Sequence, residues 1–328
     1  MFALARQLAH MGALGLNRRN AEYTLRYNPR RLYPLVDDKL RTKQLAQRAG
    51  IALPELYGVV EAEHQVRNLR DVLGQYRDFV IKPARGSGGD GILIISGRLR
   101  QMYRKINGLL IRQEELNHHV SNILSGIYSL GGQPDKALIE YRIQAHPLFD
   151  AISYQGVPDI RVIVFLGVPL MGMARLPTRI SGGRANLHQG ALGVGIDIVT
   201  GETLTAVWRD DIVTEHPDTG NTVTGVKVPG WASLLRLAAQ CYELTGLGYQ
   251  GVDIVLDKDK GPLILELNAR PGLNIQLANR SGLLPRLNMV EQNRENLIGV
   301  EGRVAFAQTH FRASADISGL ALGDFRWC

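Results

Sequence analysis

The residues best suited to chemistry lie in one stretch, GVDIVLDKDKGPLILELNARPG, at residues 251–272. Its alternating apolar residues on both sides of a charged turn predict a hairpin of two strands. With the turn centred in DKDK, Asp253 lies directly opposite Glu266, and Asn268 follows on the same face. Like charges opposed in a sheet are destabilising unless a cation lies between them, and oxygen ligands of this kind suit Mg²⁺. The stretch therefore predicts a divalent-cation site, with a hairpin carrying one solvated face as the alternative. The same register predicts one wholly apolar face, formed by Val252, Ile254, Leu256, Leu263, Leu265 and Leu267.

A glycine-rich run, KPARGSGGDG at residues 82–91, is the second informative feature. It contains a G-x-G-x-x-G pattern, but a strand is predicted after it, so a dinucleotide-binding turn is excluded. A strand, a glycine loop and a strand together predict a flap whose backbone N–H groups can close over phosphates. Lys82, at the end of the first strand, can reach a phosphate as a point charge. The predicted loop residues are Gly86, Ser87, Gly88, Gly89 and Gly91.

Helices and strands are interspersed along the chain, and antiparallel hairpins are prominent among them. This order favours an α+β fold over a doubly wound parallel sheet. The predicted helices are residues 37–50, with Asp37 as N-cap, most of 98–135, and 231–244. The predicted strands are residues 79–81, 92–95, 138–143 and 191–199, and a hairpin at 159–175.

The net charge of +7 is concentrated near the N-terminus. Residues 1–50 hold ten Lys and Arg against three Asp and Glu, whereas the rest of the chain balances at 28 against 28. A local basic surface can face an acidic substrate or an anionic membrane. No recognition motif accompanies it, so nucleic acid is the weaker partner. A solvated basic helix is the alternative.

The two cysteines, Cys241 and Cys328, are far apart in the sequence and lack metal-ligand spacing. They exclude a disulfide framework and favour a cytoplasmic location. Residues 1–16 carry interrupting polar groups and no cleavage site, so an amphipathic helix is expected there rather than a secretion signal. No stretch approaches the length of a membrane span.

Taken in order, these motifs resemble the ATP-grasp superfamily of carboxylate–amine ligases, and within it the RimK-type alpha-L-glutamate ligases. The resemblance covers residues 37 to about 275. It is carried by the runs DKLRTKQLAQRAGIALP, EYR, DIRVIVFLG, MAR, ANLH and GVDIVLDKDKGPLILELNARPGL. It implies an α+β ATP-grasp fold in which two α+β subdomains sandwich ATP, with a shortened helical N-terminal region.

The resemblance also implies a role for each matching residue. Lys39 and Lys82 would hold the ATP phosphates, and Asp253, Glu266 and Asn268 would bind two Mg²⁺ ions, with Mn²⁺ as a substitute. The adenine pocket would be lined through backbone groups and a strand edge by Glu140, Tyr141, Arg142 and Ile143. The acyl phosphate and its oxyanion would be contacted by Arg161, Arg175 and Asn186. Arg270 departs from the family, which has a small residue there, and this extra cation would bind a second carboxylate, either of a substrate or of the C-terminus.

The pairing of Arg161 with Arg175 depends on the hairpin loop between them. A three-residue loop places the two arginines opposite each other, and a two-residue loop separates them. Paired cations need an anion between them, which agrees with a role at the acyl phosphate. Two solvated arginines on a sheet face are the alternative.

Four parts are expected along the chain. They are a basic helical segment at 1–36, an ATP-grasp N-terminal subdomain at 37–143 with a helical insert at 98–135, a C-terminal subdomain with the Mg²⁺ site at 144–290, and a tail at 291–328. RimK-type enzymes carry a longer N-terminal domain, which helps to build their substrate cleft. A divergent branch with its own substrate is therefore expected, and a partner protein that completes the acceptor site is one hypothesis.

The expected activity is an ATP-dependent carbon–nitrogen ligase that forms an amide bond through an acyl phosphate. Glutamate or an acidic peptide is the expected substrate, and the partners are small-molecule or peptide carboxylates and amines. The alternatives are an ATP-grasp kinase and a nucleotide-binding regulatory subunit without turnover. Peripheral membrane contact through the basic N-terminus and an oligomeric state remain open.

Overall fold

The structure is a computed structural model of the 328-residue chain, and it describes residues 11–86, 88–209 and 211–313. The predicted phosphate-loop residue Ser87 lies outside these ranges, as do residues 1–10 of the predicted basic segment and 314–328 of the predicted tail. None of the helices so described is long and apolar enough to cross a bilayer.

The described residues form thirteen strands in two sheets. The strands are β1 (Leu56–Val60), β2 (Phe79–Pro83), β3 (Leu93–Leu99), β4 (Met102–Lys105), β5 (Leu110–Ile111), β6 (Ala137–Glu140), β7 (Asp159–Phe165), β8 (Val168–Leu176), β9 (Leu192–Ile196), β10 (Thr203–Trp208), β11 (Asp211–Val213), β12 (Tyr249–Asp257) and β13 (Gly261–Asn268). Every strand pair in both sheets is antiparallel, which confirms the prediction of an α+β fold.

The α-helices are mostly short. They are α1 (Leu16–Arg18), α2 (Leu25–Tyr27), α3 (Pro34–Asp37), α4 (Lys39–Arg48), α5 (Leu69–Gly74), α6 (Gln113–Leu124), α7 (Trp231–Thr245), α8 (Ile275–Ala278), α9 (Leu284–Asn293) and α10 (Gly299–His310). A π-helical stretch, Arg19–Thr24, joins α1 to α2. Short 3₁₀ helices lie at Arg30–Leu32, Glu63–Asn68, Leu130–Gly132, Pro147–Phe149, Leu187–Gln189 and Arg294–Asn296.

The chain is divided into two compact units. The smaller unit comprises residues 37–48 and 53–143, and its six-stranded sheet has the order β1-β6-β2-β3-β4-β5. A core of aliphatic and aromatic side chains such as Phe79, Leu116 and Ile139 lies between this sheet and its helices.

The larger unit, as far as it is described, comprises residues 11–36, 49–52 and 144–313. Its seven-stranded sheet has the order β11-β10-β9-β8-β7-β12-β13. Helix α7 agrees with the predicted helix at 231–244 and packs on this sheet with eight buried residues. All nine residues of β12 are buried, so both faces of the sheet are covered at this strand.

The hairpin of strands β12 and β13 has the predicted register around Asp253 and Glu266. Asp253 pairs with Glu266, and Gly251 pairs with Asn268. A β-bulge follows, because Ile254 pairs with Ile264 rather than with Leu265. The predicted apolar face is therefore wrong beyond the bulge, since Ile264 takes the core position expected for Leu265 and Leu263 pairs with Val255 on the opposite face.

The insert at 98–135 is only partly helical, contrary to the prediction. Strands β4 and β5 form a hairpin around Asn107 and Gly108, and Gly108 has a φ of 85°. An Asn-Gly pair between apolar residues is a signal for a hairpin turn, and here it is the glycine that takes the positive φ. The helical spacing of the apolar residues applies only to α6 (Gln113–Leu124).

The helix that begins the smaller unit is capped by Asp38 and not by Asp37. The Oδ1 atom of Asp38 accepts a hydrogen bond of 3.0 Å from the N–H of Leu40. Such a side-chain acceptor satisfies an amide that has no partner within the helix. This cap fixes the start of α4 and thereby the position of Lys39.

Candidate functional site

Three neighbouring strands of the larger unit, β8, β7 and β12, place four charged residues in one buried cluster. We call Arg161, Arg175, Asp159 and Asp253 the arginine–aspartate cluster. Asp253 of β12 pairs across the sheet with Arg161 of β7, and Asp159 of β7 pairs with Arg175 of β8. Both carboxylates are almost fully buried, with 2% exposure for Asp253 and 4% for Asp159. Their charges therefore need partners within the protein.

Arg161 binds Asp253 through two parallel hydrogen bonds. Its Nε donates to Oδ1 at 2.7 Å, and its Nη2 donates to Oδ2 at 2.7 Å. Such a bidentate pair fixes the plane of the carboxylate as well as its charge.

Arg175 connects the two acids. Its Nε and Nη2 donate to the two oxygens of Asp159 at 2.5 and 2.6 Å, and Nη2 also donates to Oδ2 of Asp253 at 2.7 Å. Nη1 of Arg161 and Nη1 of Arg175 make no hydrogen bond to the part of the chain that the structure describes. These groups keep donors that an added anion can use.

The two acids of the cluster have opposite pKa shifts. Burial raises the pKa of Asp159 to about 6, because the Arg175 guanidinium only partly offsets desolvation and the charge of Asp253 adds to it. Burial also opposes ionisation of Asp253, but Arg161 and Arg175 together outweigh it and lower its pKa to about 2. Both acids raise the pKa of Arg175. Asp253 is therefore the acid that two cations hold ionised.

The hairpin of β7 and β8 determines how Arg161 and Arg175 are placed relative to each other. Phe165 pairs with Val168, so the loop has two residues, and a β-bulge between Ile163 and Val164 then brings Arg161 opposite Met173 rather than Arg175. The arrangement with the arginines directly opposed is thus absent. Their guanidinium groups nevertheless meet at Asp253, which is the anion between them.

The oxygen ligands expected for Mg²⁺ adjoin this cluster. Nδ2 of Asn268 donates to Oδ2 of Asp253 at 3.2 Å, which leaves its amide oxygen as a ligand. Glu266 is half-buried and directly opposite Asp253. No group of three or more His, Cys, Asp or Glu residues suited to a metal occurs among the described residues. The donor set fits a hard cation through Glu266 and Asn268, with Asp253 largely engaged by the arginines.

A second buried ion cluster lies in the smaller unit, and we call Lys43, Lys82 and Glu140 the lysine–glutamate cluster. Lys82 pairs with Oε1 of Glu140. Lys43 Nζ lies 2.8 Å from Oε2, as an ion pair rather than a well-aligned hydrogen bond, and it donates to the carbonyl of Pro54 at 2.8 Å. Exposures are 6% for Lys43, 4% for Lys82 and 2% for Glu140.

Burial and the neighbouring charges act against each other in the titration of this second cluster. Desolvation lowers the pKa of Lys43 to about 8, and Glu140 only partly restores it while Lys82 lowers it further. Desolvation opposes the charge of Glu140 too, but the two lysines together lower its pKa. The cluster therefore has one more cation than anion.

The expected strand edge at Glu140 is absent. Strand β6 lies between β1 and β2, and Glu140 pairs with Leu56 on one side and with Val80 on the other. Beyond the strand, the N–H of Tyr141 donates to the carbonyl of Glu55 at 2.9 Å. Arg142 forms an ion pair with Asp78 at 2.8 Å, and Ile143 is buried. The adenine-binding role of residues 140–143 stays a prediction, carried by the backbone after β6.

Lys39 lies at the start of the glycine loop, and its phosphate-binding role stays a prediction. Its Nζ donates to the carbonyl of Gly86 at 2.6 Å. Gly91 has a φ of 73°, and a Cβ there would lie 2.6 Å from the ring of Tyr128. The loop geometry at that position thus excludes a side chain. Gly88 and Gly89 also have positive φ, at 65° and 84°.

Asn186 and Arg270 lie in loops of the larger unit. Oδ1 of Asn186 accepts the N–H of His188 at 3.0 Å and caps a 3₁₀ turn. Arg270 is exposed in the loop after β13, and its guanidinium lies over the ring of Tyr33 at 5.0 Å. It has no carboxylate partner among the described residues.

Two residues of these buried clusters, Lys43 and Asp159, were not predicted from the sequence as site residues. Lys43 lies four residues after Lys39, on the buried side of α4, and a lysine at a buried helical position is the signal that could have found it. Asp159 lies two residues before Arg161 in a strand, so both side chains point to the same face.

The chain matches known proteins over most of its length. The family model described as "Sugar-transfer associated ATP-grasp" matches residues 18–292. A "Probable alpha-L-glutamate ligase" of Aeromonas salmonicida (strain A449) is 26% identical over 236 residues, covering 72% of this chain and 57% of that relative. The chain thus spans somewhat more than half the length of the curated relatives it matches.

Solved structures give a weaker likeness. The ATP-grasp ligase PsnB complexed with a minimal precursor has a TM-score of 0.43 at 14% identity, covering 81% of this chain and 63% of that one. The D-alanine–D-alanine ligase of Bacillus anthracis complexed with ATP also has a TM-score of 0.43 at 14% identity, covering 85% and 67%. The assignment rests on the family model, which matches well over half of the chain. The chain therefore belongs to the sugar-transfer associated ATP-grasp family.

Proposed function

We propose that this chain is an ATP-dependent carbon–nitrogen ligase that joins a carboxylate to an amine through an acyl phosphate. The single observation that carries the proposal is the arginine–aspartate cluster beside Glu266 and Asn268. It offers ordered guanidinium donors next to oxygen ligands for a divalent cation on one rigid sheet. Curated relatives named as probable alpha-L-glutamate ligases support the same reaction class.

In the first step a substrate carboxylate attacks the γ-phosphorus of ATP, and ADP leaves. A divalent cation, when bound, neutralises phosphate charge, and Glu266 and Asn268 are the residues proposed to hold it. Lys39 and Lys82 are proposed to bind phosphate oxygens. The excess positive charge of the lysine–glutamate cluster supports this role for Lys82, and the contact of Lys39 with Gly86 supports its role at the loop.

In the second step an amine attacks the acyl carbon, and phosphate leaves. Negative charge builds on the tetrahedral oxygen, and preorganised N–H donors lower the barrier to that charge. Nη1 of Arg161 and Nη1 of Arg175 are proposed as these donors, because their other atoms are anchored by Asp253 and Asp159. Asn186 is proposed as a third donor.

The substrate is proposed to be acidic, namely glutamate or an acidic peptide. Arg270 supports this choice because it is exposed beside Asn268, lies over Tyr33, and has no carboxylate partner in the described chain. A side-chain carboxylate of the substrate would supply that partner. Cytoplasmic location is proposed because the reaction needs ATP.

The test is phosphate release from Mg-ATP with pooled amino acids, glutamyl peptides, small amines and amino sugars, run beside Glu266→Gln. We expect release that depends on an acceptor, a condensation product by mass spectrometry, and a loss of at least about 100-fold in the variant. Glu301→Gln changes an exposed glutamate on α10 and serves as the matched control.

Other outcomes contradict the ligase. A phosphorylated hydroxyl compound without condensation would identify a kinase. ATP that stays intact with every pool would indicate a nucleotide-binding subunit without turnover.

A further inference from the structure

The N-terminal segment, residues 11–36, is attached to the loop that carries Asn268. Asn28 is the central residue of this attachment and is only 1% exposed. Its Nδ2 donates to the carbonyl of Tyr249 at 2.6 Å and to the carbonyl of Ala269 at 3.0 Å, and its Oδ1 accepts the N–H of Tyr249 at 2.9 Å. One buried amide thus joins the start of β12 to the residue after Asn268.

The side chain of Asn28 makes the hydrogen bonds to Tyr249 that the backbone of a neighbouring strand would otherwise make. The ladder between β12 and β13 ends with the pair Gly251 and Asn268, because the chain turns away at Ala269. The backbone N–H and C=O of Tyr249 lie beyond that last pair, and Tyr249 is fully buried. Buried backbone groups need partners, and the amide of Asn28 supplies both a donor and an acceptor.

Arg19 holds the same loop two residues further on. Its Nη1 donates to the carbonyl of Pro271 at 2.7 Å, and the guanidinium is itself oriented by two hydrogen bonds to Oδ1 of Asn20. Arg19 is 8% exposed. Asn28 and Arg19 therefore fix the carbonyl groups on both sides of Arg270.

We propose that Asn28 and Arg19 are positioning residues that set the affinity of the cation site by holding the loop 268–271. Asn268 has its Nδ2 directed at Asp253, so a small rotation of the loop would move its amide oxygen away from a shared ligand position with Glu266. The metal part of this inference rests on the proposed function. The bracing of the loop stands on the hydrogen bonds themselves.

The experiment compares Asn28→Ala with Gln276→Leu. Gln276 is a matched control because its side chain also joins the N-terminal segment to the larger unit, but at Leu14 and Leu283 rather than at the loop. Two quantities are measured: amide hydrogen exchange of residues 268–270, and Mn²⁺ binding with ADP, followed by the free Mn²⁺ signal in electron paramagnetic resonance. Neither requires turnover.

We expect Asn28→Ala to accelerate exchange at residues 268–270 and to weaken Mn²⁺ binding about 10-fold, the lower end of the effect of removing a direct partner of a metal ligand, because Asn28 contacts the neighbouring Ala269 and not Asn268 itself. Gln276→Leu should change Mn²⁺ affinity less than about threefold, even if it lowers the melting temperature equally. Arg19→Met should shift Mn²⁺ affinity in the same direction as Asn28→Ala, and Arg19→Lys, which keeps one donor, should shift it less.

Equal exchange at the loop in Asn28→Ala and in the wild type overturns the bracing. Equal loss of Mn²⁺ affinity in Asn28→Ala and Gln276→Leu overturns the specific role of Asn28, because it marks a general loosening. A wild-type protein that binds no Mn²⁺ with ADP overturns the metal part together with the proposed cation site, while the exchange rates still decide on the bracing.

Discussion

The arginine–aspartate cluster and the lysine–glutamate cluster both bury an acid between two cations, but they differ in charge balance. The first has two arginines and two aspartates, so its formal charge is zero. The second has two lysines and one glutamate, so one positive charge remains. The charges of the first cluster therefore balance within the protein, whereas the second cluster needs an added anion, such as a phosphate, to balance its charge.

The choice of cation reinforces this difference. A guanidinium stays charged and binds carboxylates in a fixed plane, whereas a buried ammonium can lose its proton. Burial lowers the pKa of Lys43 to about 8, while the aspartates raise that of Arg175. We infer that Asp253 holds the two arginines in place over a wide pH range, whereas Asp159 titrates near pH 6 and the lysine–glutamate cluster responds to higher pH and to bound anions.

The largest expected effect is at Asp253, because it anchors both arginines. Asp253→Asn keeps the shape of the side chain but leaves Arg161 and Arg175 without the shared charge. Removing one partner of a buried ion network typically costs about 3–5 kcal/mol of unfolding free energy. Urea unfolding at pH 7 measures this loss.

Asp259→Asn is the control for that measurement, since Asp259 lies in the exposed turn of the same hairpin. We expect it to change the unfolding free energy by less than about 0.5 kcal/mol. A loss at Asp253 as small as that at Asp259 would show that the cluster does not support the fold.

The sequence predicts the register that places Asp253 opposite Glu266, because the two-residue period of a strand allows only one pairing that keeps apolar residues together. It does not predict the bulge at Leu265, since an inserted residue changes the pattern only locally. Nor does it predict that Asp253 lies between two arginines. That contact depends on the two-residue loop at Leu166 and Gly167 and on the order of strands in the sheet.

In the smaller unit, the sequence predicts a glycine loop between two strands with Lys82 at the end of the first, because these are local features. The role of Lys39 follows only from the family resemblance and stays a prediction. The sequence does not predict that Glu140 lies on a central strand between two lysines. This arrangement requires β6, near residue 140, to insert between β1 and β2, and such an order of strands has no local signal.

An intermediate effect on the unfolding free energy is expected from the titration of Lys43. Its pKa of about 8 in the folded protein lies below the ordinary value of 10.5. Between these values the unfolded chain holds one more proton, so the unfolding free energy rises with pH. From pH 8 to 9.5 the wild type should gain about 1–2 kcal/mol relative to Lys43→Met, which lacks this titration.

Parallel pH profiles of the two proteins would contradict this prediction and would mean that Glu140 keeps Lys43 fully charged. The comparison is between difference curves, so the titration of tyrosines and other groups common to both proteins cancels. The expected divergence is largest near pH 9, where Lys43 is neutral only in the folded protein.

The smallest effect on the unfolding free energy is expected for an ion pair that has short distances but lies exposed on the surface. Nε of Arg236 lies 2.9 and 3.0 Å from the two oxygens of Glu301, yet these side chains are 46% and 72% exposed. Water screens such a pair, so Glu301→Gln should cost less than about 0.5 kcal/mol of unfolding free energy, and the cost should vanish in about 1 M salt. A loss as large as that of Asp253→Asn would mean that short distances alone determine the energy of these pairs. A small loss, beside a large one at Asp253, assigns the difference to burial, which is the property that the two internal clusters share and this surface pair lacks.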